Sequence, residues 1–186
     1  KEIKNKNILK INNIPLINYS LIFTKKIKFV DKIIVSTDSK KYQKIVNKVG
    51  NFSKFLRPAK ISKDSSHDID FIMHALNWLK KKEDFTPDLI LHLRPTSPLR
   101  KIKDITKALK IVSKFKNIDS LKSVNSLDIP AEKLWIIKKN KLLKKFFKNK
   151  KFKEAHNMPR QLLSTCYKQN ALFDIYKTDM IKKKKI

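Results

Sequence analysis

Apolar residues along the chain fall into two kinds of run. Two runs are short and continuous, Lys32-Ile33-Ile34-Val35-Ser36 and Asp88-Leu89-Ile90-Leu91-His92-Leu93, the pattern of strands buried on both faces. The others are spaced as on one face of a helix: Ile69, Ile72, Met73, Leu76 and Leu79 from a start near Asp68, then Ile102, Ile105, Leu109, Val112 and Phe115. Pro15 suits the first residue of a helix through about Lys26. Thr37-Asp38-Ser39 reads as a cap opening a helix to about Val49, with Gly50 as its C-terminal stop. A further strand is expected from Ser120 to Val124. Strands separated by amphipathic helices predict an α/β fold, a mainly parallel sheet with helices on both faces.

In such sheets ligands bind beyond the carboxyl ends of the strands, where the Thr37-Asp38 turn and the loop from Arg94 to Arg100 would lie. Pro95 and Pro98 exclude a helix from that loop. From Pro130 to Lys153 the pattern changes: Leu134 to Ile137 and Leu142 to Phe147 flank a Lys-Lys-Asn-Lys turn, as in an exposed hairpin. The expected organisation is one domain over 1–186 with 130–153 as a protruding arm able to reach a partner subunit. The chain opens at Lys1 with no strand ahead of it, so the first strand of the sheet is expected to be missing. Gly50 is its one glycine, so no glycine-rich phosphate loop is present.

Charge changes the picture less than its size suggests. Lys+Arg number 45 against 16 Asp+Glu, a net +29, which invites a nucleic-acid reading. The lysines, however, run along nearly every predicted helix instead of marking one face. Salt-sensitive adhesion to polyanions is expected, and a specific nucleic-acid partner is not. Against this background the four arginines, Arg57, Arg94, Arg100 and Arg160, stand out, each in a proline- or glutamine-containing stretch. A guanidinium grips carboxylate or phosphate with two prongs where lysine offers a point charge, so the four together suggest an anion site.

Cys166 alone excludes an internal disulfide and a thiol zinc set, and fits a reducing cytoplasm. His67, His74, His92 and His156 show no paired metal spacing. No apolar run is long enough for a membrane span.

Five landmarks, in order, resemble one family, the acylneuraminate cytidylyltransferases. Lys1-Glu2-Ile3-Lys4-Asn5-Lys6-Asn7-Ile8 is similar to the end of the motif A-R-x-G-S-K-x-I-x-x-K-N. Val35-Ser36-Thr37-Asp38 and Leu56-Arg57-Pro58-Ala59 match V-S-T-D and L-R-P-A. Arg94-Pro95-Thr96-Ser97-Pro98-Leu99-Arg100 matches P-T-S-P-L-R, and Pro159-Arg160-Gln161 with Tyr167 and Asn170 resembles R-Q-x-L-P…N-G.

The resemblance implies a Rossmann-like (GT-A-like) nucleotidyltransferase sheet and the transfer of CMP from CTP to a nonulosonic, sialic-type sugar acid. Pyrophosphate leaves, Mg2+ assists, and the protein is a homodimer through the exchanged arm. It implies Lys1 and Arg160 as catalytic groups. Lys6, Asn7, Arg57, Ser66, Asp68, Thr96 and Ser97 would bind the nucleotide, and Arg94, Gln161, Lys168 and Asn170 the sugar acid. The metal-binding S-x-D-I-D segment is expected after residue 186. Departures are Arg94 for a common glutamine, Asp68 for serine, Lys168 for arginine, and Glu2 and Ala171 for glycines. The last two are the signs of an alternative, an inactive paralogue serving as a binding or structural protein.

Overall fold

The computed structural model describes residues 3–115, 117–139 and 141–183. They divide into two compact units: one runs to Lys122 and resumes at Ala171, the other is 123–170.

The first unit begins with a hairpin, β1 (Lys10–Ile11) and β2 (Ile14–Pro15), with Ile11 opposite Ile14. Asn12 and Asn13 both carry positive φ, 47° and 63°, as a two-residue turn matched to strand twist demands and asparagine tolerates. Helix α1 (Leu16–Thr24) follows at once; Pro15, expected as its first residue, stands one place earlier as its N-cap. Helix α2 (Lys40–Asn47) is capped by Ser39, whose Oγ accepts from the Tyr42 N–H at 3.3 Å.

Gly50 does not work as predicted. It lacks the left-handed backbone of a glycine stop. A Cβ there would fall 2.5 Å from Cζ of Phe52, and Phe52 packs with Ile17, Leu21 and Val46. Gly50 is small so that this ring can close over it.

Helix α3 (Asp68–Glu83) and helix α4 (Ile102–Lys114) form where the periodicity places them, burying Ile72, Leu76 and Leu79 on one and Ile105, Ala108 and Val112 on the other. Strand β3 (Leu89–His92) and strand β4 (Ser120–Leu127) also appear. In the second unit lie β5 (Trp135–Ile137) and β6 (Leu143–Lys145). Strand β7 (Cys166–Lys177), which the sequence reading missed, starts in that unit and continues from Ala171 in the first, which also holds helix α5 (Thr178–Lys183).

The fold is α/β, but the expected mainly parallel sheet is not what these residues form. Strand order is β3-β7-β4. β7 is antiparallel to β3, with Leu91 opposite Ile175 and His92 opposite Asp174. Along β4, Lys177 meets Asp119 at one end and Asn170 meets Asn125 at the other, so β7 is antiparallel there too. β3 and β4 therefore run the same way, joined by α4 as a crossover should join them, but β7 occupies the place between. The other expected strand, Lys32 to Ser36, forms no ladder. Val35 donates to Phe52 O and Arg57 to Thr37 O, both at 2.8 Å, and a single parallel bridge joins Thr37 to Leu56.

Both faces of the sheet carry helices. Leu89 and Leu91 of β3 pack with Ile105, Ala108 and Val112 of α4, Phe173 and Ile175 of β7, and Ile27. Ile90 points the other way, to Ile72 and Leu76 of α3 and Ile181 of α5. Each such buried aliphatic side chain contributes about 1.5–3 kcal/mol. This two-sided burial explains why β3 reads as an unbroken apolar run.

In the second unit β5 and β6 pair antiparallel, Trp135 opposite Lys145 and Ile137 opposite Leu143. This is the hairpin expected within 130–153. Its root is held by Asn149, which donates to Oε1 of the buried Glu132 at 2.8 Å, and by the Trp135 and His156 rings, edge to face at 5.1 Å. No helix among the described residues is long and apolar enough to cross a membrane.

Candidate active site

In the first unit the end of β3, the start of α3 and the Thr37 turn bring charged groups together. Arg57 donates from Nε to Ser62 Oγ at 3.0 Å, stands 3.6 Å from Asp38 Oδ1 and lies over the Phe71 ring at 5.4 Å. Phe71 meets the His92 ring edge-on at 5.5 Å. Arg94 donates from Nη1 to Asp174 Oδ2 at 2.7 Å and from Nη2 to Asp68. Arg57, Asp68 and Arg94, predicted from separate motifs, thus share one continuous cluster with Asp38, Phe71, His92 and Asp174.

Burial sets the electrostatics. Asp174 is fully buried and also accepts from the Tyr176 hydroxyl at 3.3 Å. Burial first, then the Asp174 charge, pushes that phenol up to about 12. Burial would lower the Arg94 pKa, but hydrogen bonds to Asp174 and Asp68 outweigh it and hold the guanidinium above its ordinary value. His92 Nδ1 lies 3.9 Å from Asp68 and 4.0 Å from Asp174. Burial, then the Arg94 charge, depresses its pKa below 6.5 despite those carboxylates.

Protonating His92 therefore costs folding energy. The unfolded chain takes up that proton as pH falls through about 6.5, and stability drops from there downward. Urea midpoints at pH 7.5 and 5.5 should differ, and His92→Gln should shrink the difference. His74, also depressed by burial and then by Arg57, would supply the remainder.

The other predicted residues take varied positions. Lys6 is exposed in a single 3-10 turn, Lys6–Ile8, and neighbouring Asn5 accepts from the Tyr42 hydroxyl at 3.3 Å. Asn7 is half-buried, and its Oδ1 is enclosed without a hydrogen-bond partner among the described residues. Lys1 and Glu2 lie outside the described residues. Ser66 closes a turn, its Oγ accepting from Lys63 N–H at 3.1 Å. Thr96 is exposed, and Ser97 donates to Ala171 O at 3.3 Å. Ala171 carries φ 56°, left-handed backbone that favours glycine, so alanine here is strained by about 1 kcal/mol.

Arg100 belongs to the scaffold. It is buried, donating to Ser20 Oγ at 2.9 Å and to the carbonyls of Leu172 and Arg94.

In the second unit Arg160 opens a 3-10 turn, Arg160–Leu162, and is exposed. With Gln161, Ser164, Thr165, Ser126 and Asp128 it lines an open groove of about 340 Å³. Among the described residues no acidic group lies within ion-pair distance of it. Lys168 is exposed on β7, and Asn170 donates to Asn125 Oδ1 at 2.7 Å.

The sequence reading missed Asp174, His92 as a site neighbour, and Phe71. The signal for Asp174 was a lone acid inside the apolar stretch Leu172-Phe173-Asp174-Ile175-Tyr176. A charge there must be paired. Among the described residues no group of three His, Cys, Asp or Glu side chains is placed to hold a metal; the metal-binding segment is expected after residue 186.

Residues 1–183 match the family model described as cytidylyltransferase. The post-translational flagellin modification protein B of Campylobacter coli is 32% identical over 183 residues, covering 97% of this chain and 74% of that protein. The CMP-N,N'-diacetyllegionaminic acid synthase of Campylobacter jejuni is 31% identical with the same coverage. The N-acylneuraminate cytidylyltransferase of Escherichia coli is 30% identical over 71% of this chain and 30% of its own length. Among solved structures, CMP:2-keto-3-deoxy-manno-octonic acid synthetase complexed with CTP shares the fold, with TM-score 0.66 and 12% identity over 95% of this chain and 69% of that one. The nucleotidyltransferase fold and these relatives agree: the chain belongs to the cytidylyltransferase family.

Proposed function

We propose that this protein transfers CMP from CTP to a nonulosonic acid. The anomeric hydroxyl of the sugar acid attacks the α-phosphorus, the bond to the β-phosphate oxygen breaks, pyrophosphate leaves, and the hydroxyl proton is lost. The observation that carries the reading is the joining of Arg57, Asp68 and Arg94 at one end of the sheet, in a chain matched along its length by the cytidylyltransferase model. Such a transfer gathers negative charge, so preset cations and donors lower its barrier.

In this reading Arg57, Ser66, Asp68, Thr96 and Ser97 serve the nucleotide together with Lys6 and Asn7, whose enclosed Oδ1 suits a ribose or base donor. Arg160 and Lys1 act on the reacting groups, and Gln161, Lys168 and Asn170 on the sugar acid. Mg2+, when bound, would neutralise triphosphate charge. A homodimer through the hairpin, which exposes Ile137, Leu142, Leu143 and Phe146, and a cytoplasmic location complete the proposal. The inactive-paralogue alternative gains no support from relatives named as synthases and cytidylyltransferases.

The test is pyrophosphate release from CTP, expected only when a nonulosonic acid and a divalent metal are both present. No release across sialic, legionaminic and pseudaminic acids would refute the reading.

A further inference from the structure

We propose that Arg94 is a positioning residue: its guanidinium ties fully buried Asp174 on β7 to Asp68 in the first turn of α3, and so fixes the 66–68 loop at the nucleotide side of the site. The nucleotide contact rests on the function proposed above; the tie rests on geometry alone.

Both prongs of the fork are occupied, Nη1 by Asp174 Oδ2 at 2.7 Å and Nη2 by Asp68. The two carboxylates differ in kind. Asp174 has no solvent access, and a charge so placed is tolerated only while paired. Asp68 is about half exposed, 47%, and sits directly after the Lys63–Ser66 turn, where Ser66 donates back to Lys63 O at 3.0 Å. One end of the tie is thus anchored in the sheet and the other holds a surface loop.

One turn further along α3, Phe71 lies under Arg57, so the same tie also sets where that arginine stands. A sugar carboxylate could take both prongs of Arg94 only by displacing the buried Asp174 carboxylate as well as Asp68, and Asp174 would lose its charge-assisted bond inside the sheet. That places Arg94 behind the site, holding its wall. A lysine could not span both acids with directed bonds; a planar fork can.

The experiment compares wild type, Asp68→Asn and the double variant Arg94→Gln/Asp174→Asn, which strands no buried charge. Amide hydrogen exchange is followed over 63–72, CTP affinity by calorimetry, and KM for the sugar acid in the pyrophosphate assay. The tie predicts exchange over 63–72 faster by about tenfold in both variants, the worth of one charge-assisted hydrogen bond to local opening. CTP affinity should fall by about tenfold in both while KM for the sugar acid moves less than about twofold.

Exchange at the wild-type rate in both variants overturns the proposal. So does a double variant with unchanged CTP affinity and a sugar-acid KM raised about tenfold or more, which would make Arg94 a substrate ligand. If wild type itself fails to bind CTP, the nucleotide contact and the function beneath it are overturned, and the exchange rates still decide the tie.

Discussion

Arg100→Lys is expected to destabilise the first unit by about 2–4 kcal/mol, although it conserves charge and most of the side-chain volume. Arg100 serves acceptors that point in three directions: Ser20 Oγ on α1, Leu172 O on β7 and Arg94 O at the entrance to the Pro95–Pro98 loop. One ammonium cannot satisfy all three within this buried space, and each abandoned carbonyl keeps its desolvation cost. Burial, then the nearby Arg94 charge, lowers the Arg100 pKa to about 10, so the group is still a cation at neutral pH. A urea unfolding midpoint reads the loss. A lysine variant as stable as wild type would show that the fork is not what joins these elements.

Arg160→Lys is expected to reduce pyrophosphate release by about 10²-fold with stability unchanged, because the charge remains and the two-pronged geometry is lost. The contrast within the arginine set supports this. Arg57, Arg94 and Arg100 are each engaged by protein groups, to Asp38 and Ser62, to Asp68 and Asp174, and to Ser20 and two carbonyls. Arg160 is exposed in a groove it shares with Asp128, and among the described residues it forms no ion pair. In the function proposed above, this exposed guanidinium serves the reacting ligand. Wild-type rates in the lysine variant would remove Arg160 from the reaction.

The helices were legible because one residue period decides them: Ile72, Leu76 and Leu79 on α3 and Ile105 and Val112 on α4 are buried as their spacing requires. β3 was legible as a run buried on both faces. Sheet direction was not, since strand composition carries no mark of which neighbour will pair, and β7 enters between β3 and β4 from far along the chain. Phe115 was read as core and is exposed, because α4 ends at Lys114 before the face comes round again. At the site, motif spacing found Arg57, Asp68 and Arg94. It could not show that Arg94 is held by Asp174, because that acid lies 80 residues away.

The position of β7 also bears on how the molecule is made. β3 and β4 leave the ribosome with their inner edges unsatisfied, and the strand that fills the gap arrives only after the whole of 128–165 has been synthesised. Until then two open strand edges stand ready to pair with the wrong partner, and closing so distant a contact is slow. Destabilising substitutions on β7, more than equal ones on α2, should therefore show first as poor yield and inclusion bodies, before any defect in turnover can be measured.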